Sequence, residues 1–142
     1  MSFAFLRKRL RNLSWLRRRR DRRHALGSRG ERLAARSLKR RGHRIIARNY
    51  RSPAGEIDLI TQDDETLVFV EVKTRTSDDA ADLQEAIGPT QRRRIEHAAR
   101  YFLMRQSAHD HPCRFDVITV LWPAHGSPKI EHFEDAFAPR RP

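Results

Sequence analysis

The chain has 142 residues, the length of one ordinary domain, and its 38% apolar content is enough for one modest core. Its 30 Lys and Arg against 18 Asp and Glu leave a net charge of +12, and no stretch approaches ~18 consecutive apolar residues, which excludes a membrane-spanning helix. Cys113 is the single cysteine, so an internal disulfide and a Cys-cluster zinc site are excluded, and a reducing, cytoplasmic setting is expected.

The charge is unevenly spread. Residues 1–29 carry +10, residues 30–51 carry +7 and residues 52–142 carry −5. A polyanion approached by the N-terminal third is the natural partner. Residues 1–27 read as a basic extension ahead of a domain spanning 28–142. Phe3, Leu6, Leu10 and Leu13 recur there at helical spacing among arginines, a basic amphipathic pattern that suits a membrane surface, a partner groove or a nucleic-acid arm. The run Arg17–Arg20 with Arg22 and Arg23 repels itself, which favours a solvated, disordered segment. With no continuous apolar run behind it, a secretory signal is not expected, whereas an Arg-rich transit peptide has the same composition.

Ser28 followed by Glu31 has capping-box spacing, and the pattern predicts a helix over 29–41 that stops at Gly42. Glu31 falls on the same stripe as Ala34, Ala35 and Leu38. Three strands are predicted next, over 44–50, 56–61 and 66–74, joined by turns at Ser52-Pro53-Ala54-Gly55 and Asp63-Asp64. Residues 75–89 are polar and read as a long loop. A second helix is expected over 90–105, with Gln91, Ile95, Ala98 and Phe102 on one stripe, then strands over 114–122 and, more weakly, 129–133. This order describes a mixed α/β sandwich.

Two acids and a lysine interrupt the apolar strands. Glu71 and Lys73 share one face of their strand by period-2 geometry. With Gln62 paired to Leu67, Asp58 falls opposite Glu71, with Cα atoms ~5 Å apart. Carboxylates that close repel by ~3 kcal/mol at an effective dielectric near 20, so the pair calls for a cation or a shared proton. Lys73 supplies one charge. Mg²⁺ or Mn²⁺, hard ions that need few protein oxygens, would supply the rest and stabilise charge on a phosphodiester. The competing reading is an exposed edge on which Lys73 simply neutralises both acids. Asp116, inside an apolar strand, suits a buried arginine as partner, and His109-Asp110-His111 suits a surface turn.

Gly30-Glu31 with Ala34, Arg48-Asn49-Tyr50, Gly55-Glu56-Ile57-Asp58-Leu59-Ile60, Phe69-Val70-Glu71-Val72-Lys73-Thr74-Arg75, Gln91-Arg92-Arg93-Arg94-Ile95 and Arg114-Phe115-Asp116-Val117 together resemble the YraN-type family of predicted endonucleases, itself distantly similar to archaeal Holliday-junction resolvases. The resemblance spans roughly residues 28–137. It implies a restriction-endonuclease-like fold, a mixed central sheet flanked by helices. It also implies a catalytic set of Glu31, Asp58, Glu71 and Lys73, with Asp58 and Glu71 as metal ligands. Residue 57 is Ile where the wider superfamily often has Pro.

The expected activity is Mg²⁺- or Mn²⁺-dependent hydrolysis of DNA, branched or single-stranded DNA included, with Arg48, Arg75, Gln91 and Arg92 as candidate nucleic-acid contacts and a homodimer as one assembly open to the chain. A non-catalytic nucleic-acid-binding module of the same fold is the alternative. A membrane-surface or partner-docking protein driven by residues 1–27 is the third reading.

Overall fold

A computed structural model describes residues 25–76 and 87–139. In chain order these form α1 (Ala25–Arg40), β1 (Arg44–Ser52), β2 (Gly55–Asp63), β3 (Thr66–Thr76), α2 (Pro89–Arg105), β4 (Cys113–Trp122) and β5 (Lys129–Phe137). The strands make one sheet in sequence order. All neighbours are antiparallel except β3 and β4, which run parallel and are joined by the connection that contains α2.

Each face of the sheet carries one helix. Leu38, Ala34 and Ala35 of α1 pack on Leu59, Val68, Val70, Ile118 and Val120. Ile95, Ala98, Ala99 and Phe102 of α2 pack on Ile60, Leu67, Phe69, Phe115 and Val117. The parity of these residues along β3 and β4 is the alternation a sheet covered on both sides must show. The result is the mixed α/β sheet flanked by helices, consistent with a restriction-endonuclease-like architecture.

The expected turns are in place. Ser52 pairs with Gly55, and Asp63 pairs with Thr66 around Asp64, whose φ is +50°. Both glycines that open expected motifs have steric reasons. A Cβ on Gly55 would stand 2.6 Å from the Arg94 carbonyl oxygen. One on Gly30 would collide with the Thr74 side chain, so α1 lies directly on the end of β3. The C-terminal stop at Gly42 also holds, with φ +93° and the His43 N–H bonded to the Leu38 carbonyl at 3.0 Å.

The capping box is corrected. α1 already includes Ala25, so Ser28 lies inside the helix and does not cap it. Ala and Leu upstream are good helix formers and carry the helix past the expected start. β5 reaches Phe137 rather than ending at Phe133, and β3 reaches Thr76. Residues 1–24 and 77–86, which include most of the basic extension and of the expected long loop, lie outside the described residues. His109 and Asp110 are exposed in a turn, as expected.

Candidate active site

The register of β2 and β3 is the expected one, with Gln62 opposite Leu67 and Leu59 opposite Val70. The paired ladder stops there. One residue further, Asp58 turns its carboxylate onto the neighbouring strand, and its Oδ2 accepts the Val72 backbone N–H at 2.8 Å. Strict alternation fails at the same point: Ile57 and Leu59 are two residues apart, yet they pack into cores on opposite faces of the sheet. A side-chain oxygen has replaced a main-chain partner, which satisfies a donor that would otherwise be buried unpaired.

Glu71 and Lys73 project from β3 on the α2 face, and the first turn of α2 supplies Gln91 to them. Gln91 Nε2 donates to Glu71 Oε1 at 2.6 Å. Gln91 Oε1 accepts from Lys73 Nζ at 2.9 Å. Lys73 Nζ stands 3.4 Å from the same Glu71 oxygen, closing a three-membered polar ring. Glu71 is buried and the Lys73 side chain is only 17% exposed, on the third of five strands. The exposed-edge salt bridge is therefore not the arrangement present.

The electrostatics follow from this burial. Removal from water, then the Asp58 charge, push the Glu71 carboxyl up to about 8 against the pull of Lys73. Burial also raises Asp58, although the Val72 N–H and a hydrogen bond from Glu71 oppose it. Two acids that each resist ionisation, with one hydrogen bond between them, retain a shared proton at neutral pH. A cation that replaced that proton would relieve both.

Asp58 and Glu71 offer carboxylate oxygens, the donor type that Mg²⁺ and Mn²⁺ take. Such ions need only one or two protein carboxylates and keep several waters. Among the described residues no three His, Cys, Asp or Glu side chains converge closely enough to hold a metal ion, so Glu31 does not complete a three-carboxylate centre with Asp58 and Glu71. Glu31 sits on α1 beside Gly30, at the end of β3 that Thr74 occupies, and is half-buried.

Of the candidate nucleic-acid contacts, Arg48 is exposed on the edge strand β1. Arg75 is half-buried and bonds the Thr74 carbonyl at 3.1 Å. Arg92 bonds the Ile87 carbonyl at 3.2 Å and lies over the Phe137 ring, so it also ties the start of α2 to β5. Gln91 belongs to the carboxyl site itself. Its place on the buried stripe of α2 was the sequence signal for that.

A second polar cluster lies on the other face, under the C-terminal end of α1. Asp116 is fully buried and receives the Arg114 guanidinium at 3.0 Å, His132 Nε2 at 2.7 Å and the Asp135 N–H at 3.0 Å. Burial alone would raise the Asp116 carboxyl, but these hydrogen bonds together hold it below the usual carboxylate range. Arg41 Nη1 lies 3.0 Å from His132 Nδ1. Because a guanidinium only donates, that nitrogen is the acceptor and Nε2 carries the proton toward Asp116. His43 is buried beside Thr61 Oγ1 at 2.9 Å, and burial lowers its imidazole below the usual range. The expected arginine partner of Asp116 is thus present, and the two histidines are additions no sequence spacing announced.

Comparison with known proteins covers most of the chain. Residues 30–120 match the profile of the family described as "Uncharacterised protein family UPF0102". The chain is similar to a UPF0102 protein of Geotalea uraniireducens, 42% identical over 80% of this chain and 89% of the relative. It is likewise similar to one of Anaeromyxobacter dehalogenans, 44% identical over 82% and 87%, and to one of Chlorobium limicola, 44% identical over 80% and 92%.

Proposed function

This chain belongs to the UPF0102 family, and from that premise and the buried carboxyl pair we propose that it is a divalent-metal-dependent endonuclease hydrolysing DNA phosphodiester bonds, with branched DNA the substrate form to test first. The observation that carries this reading is the convergence of Asp58 and Glu71, both raised by burial, beside Lys73 held by Gln91. A fold does not gather two repelling acids in its interior without a use for their joint charge.

In this reading Asp58 and Glu71 hold Mg²⁺ or Mn²⁺. Bound there, the ion supplies charge neutralisation and Lewis acidity at the scissile phosphate. Lys73 orients the attacking water and stabilises the charge that develops on the phosphate. Gln91 keeps the Lys73 ammonium from collapsing fully onto Glu71 and so sets its direction. Glu31 assists from α1, which rests on the end of β3. Arg48, Arg75 and Arg92 contact the nucleic-acid backbone, the last two at the border of the site.

The test is incubation of the purified protein with linear, single-stranded and four-way DNA in Mg²⁺ or Mn²⁺, beside Lys73→Ala. Lys73→Ala should bind DNA nearly as well as wild type, lose cleavage by ~10² or more, and keep its metal-induced rise in melting temperature. A wild type that cuts nothing with either ion, while binding DNA, would replace this reading with the non-catalytic module.

A further inference from the structure

The solvent face of α1 has no use in the site just described, yet it gathers five exposed cations. Arg29, Arg32, Arg36, Lys39 and Arg40 are all exposed. At 100° per residue they fall within about 100° of the helix circumference, along about 16 Å of its axis. Glu31, the helix's sole acid, points elsewhere on the wheel and is half-buried. Among the described residues Arg32, Arg36, Lys39 and Arg40 have no acidic partner, whereas the exposed Arg51 does, at 2.9 Å from Glu56. Arg48 adds a further charge on the same face: it stands opposite Leu59, which packs under α1.

We propose that this face of α1 is a docking surface for the sugar-phosphate backbone of duplex DNA, on the side of the sheet opposite the carboxyl pair. Charge complementarity is the warrant. Duplex DNA presents one negative charge per ~1.7 Å of axis, and five cations on one turn-spaced stripe, four of them without an acidic partner among the described residues, match a phosphate track. A membrane fits less well. The apolar stripe of α1 is already covered by the sheet through Ala34, Ala35 and Leu38, and among its described residues Leu26 is the one exposed large apolar side chain, too little to enter a bilayer.

The stripe also leads to the right place. Gly30 lies on Thr74, the residue after Lys73, and Arg29 stacks over Trp122 at 4.9 Å beside it. A duplex lying along α1 passes the end of β3 that bears the carboxyl site. The choice of DNA rests on the nuclease reading, but binding is read without cleavage.

The experiment titrates the full chain against a short fluorescent duplex in EDTA at several salt concentrations. Arg32→Ala with Arg36→Ala is compared with wild type and with a control pair, Arg105→Ala and Lys129→Ala. Alanine is the best helix former, so α1 is retained, and melting curves verify it. The α1 pair should weaken binding at low salt and make the slope of log affinity against log salt shallower by about 2, while the control pair leaves the slope near wild type. An unchanged slope, or an equal loss in the control, overturns the proposal. So does binding to phosphatidylglycerol vesicles that the α1 pair abolishes while duplex binding persists. Because EDTA removes any cleavage, failure here leaves the nuclease reading standing, and a protein that cuts nothing can still pass.

Discussion

Asp58 Oδ2 accepts the backbone N–H of Val72, the residue that separates Glu71 from Lys73. One carboxyl group therefore serves two ends: it is a candidate metal ligand and it is the hydrogen-bond partner of a strand that has run out of ladder. The two roles separate by substitution. Asp58→Asn keeps an acceptor and should melt near wild type, whereas Asp58→Ala strands a buried N–H and should lose ~1–3 kcal/mol. Both should fail to show the stabilisation by Mn²⁺ expected of the wild type on the proposed reading. A full metal shift in either variant would remove Asp58 from the metal site.

The carboxyl pair also sets a pH dependence. Glu71 has an ordinary value of 4.5 and is pushed up to about 8 in the fold, first by burial and then by Asp58. Between those values the native state holds a proton that the unfolded chain has released, so stability falls as pH rises through the window. His43 is lowered by burial and Asp116 by its hydrogen bonds, so each shift makes stability rise with pH and neither can supply that fall. Without divalent ions, melting temperature should drop between about pH 6.5 and pH 8.5. Glu71→Gln should flatten that slope. A slope unchanged in Glu71→Gln would assign the titration elsewhere.

On the proposed reading Gln91 is a positioning residue, acting through the hydrogen bonds it makes to Glu71 and Lys73. Gln91→Ala should leave DNA affinity intact and cost only ~0.5–1.5 kcal/mol of stability. It should reduce kcat rather than raise KM, and move the pH profile of cleavage, because it frees the Lys73 ammonium to close on Glu71. Gln91→Glu places a third acid beside the pair and should raise the demand for metal. A pure KM effect in Gln91→Ala would make Gln91 a substrate contact.

The buried hub under α1 predicts the reverse pattern. Asp116→Ala leaves Arg114, His132 and the Asp135 N–H without their shared acceptor, and breaking such a cluster costs ~3–5 kcal/mol. The destabilised protein should keep its metal-induced shift, since Asp116 points to the face opposite the carboxyl pair. Thermal melts with and without Mn²⁺ check this; loss of the metal shift alone, with stability kept, would contradict it.

The sequence made the strand register and the Asp58–Glu71 encounter legible because period-2 alternation and a two-residue turn fix pairing within a few residues. Helix starts were less legible. Ser28 offered a cap, but capping is a local preference, and Ala25 with Leu26 let the helix continue upstream. The link from Gln91 to Glu71 spans a crossover whose geometry no local pattern specifies. His43 and His132 meet around Asp63 and Asp116 from four different elements or their flanks, and single-residue spacing carries no trace of such a meeting.

The single parallel pair, β3 with β4, has a consequence for the order in which the site comes together. β1, β2 and β3 are joined by tight turns and need little loop closure, while β4 can pair with β3 only after the chain through α2 has returned. The opposed acids therefore belong to the early, locally closed meander, and Gln91 arrives with the late crossover. The cost of burying both carboxyls falls on that meander, so removing one ionisable group with Glu71→Gln should speed refolding, whereas Gln91→Ala should act mainly on the unfolding limb of a chevron. On topology alone, the buried acid pair is expected to form first and the Gln91 side chain that bridges Glu71 and Lys73 last.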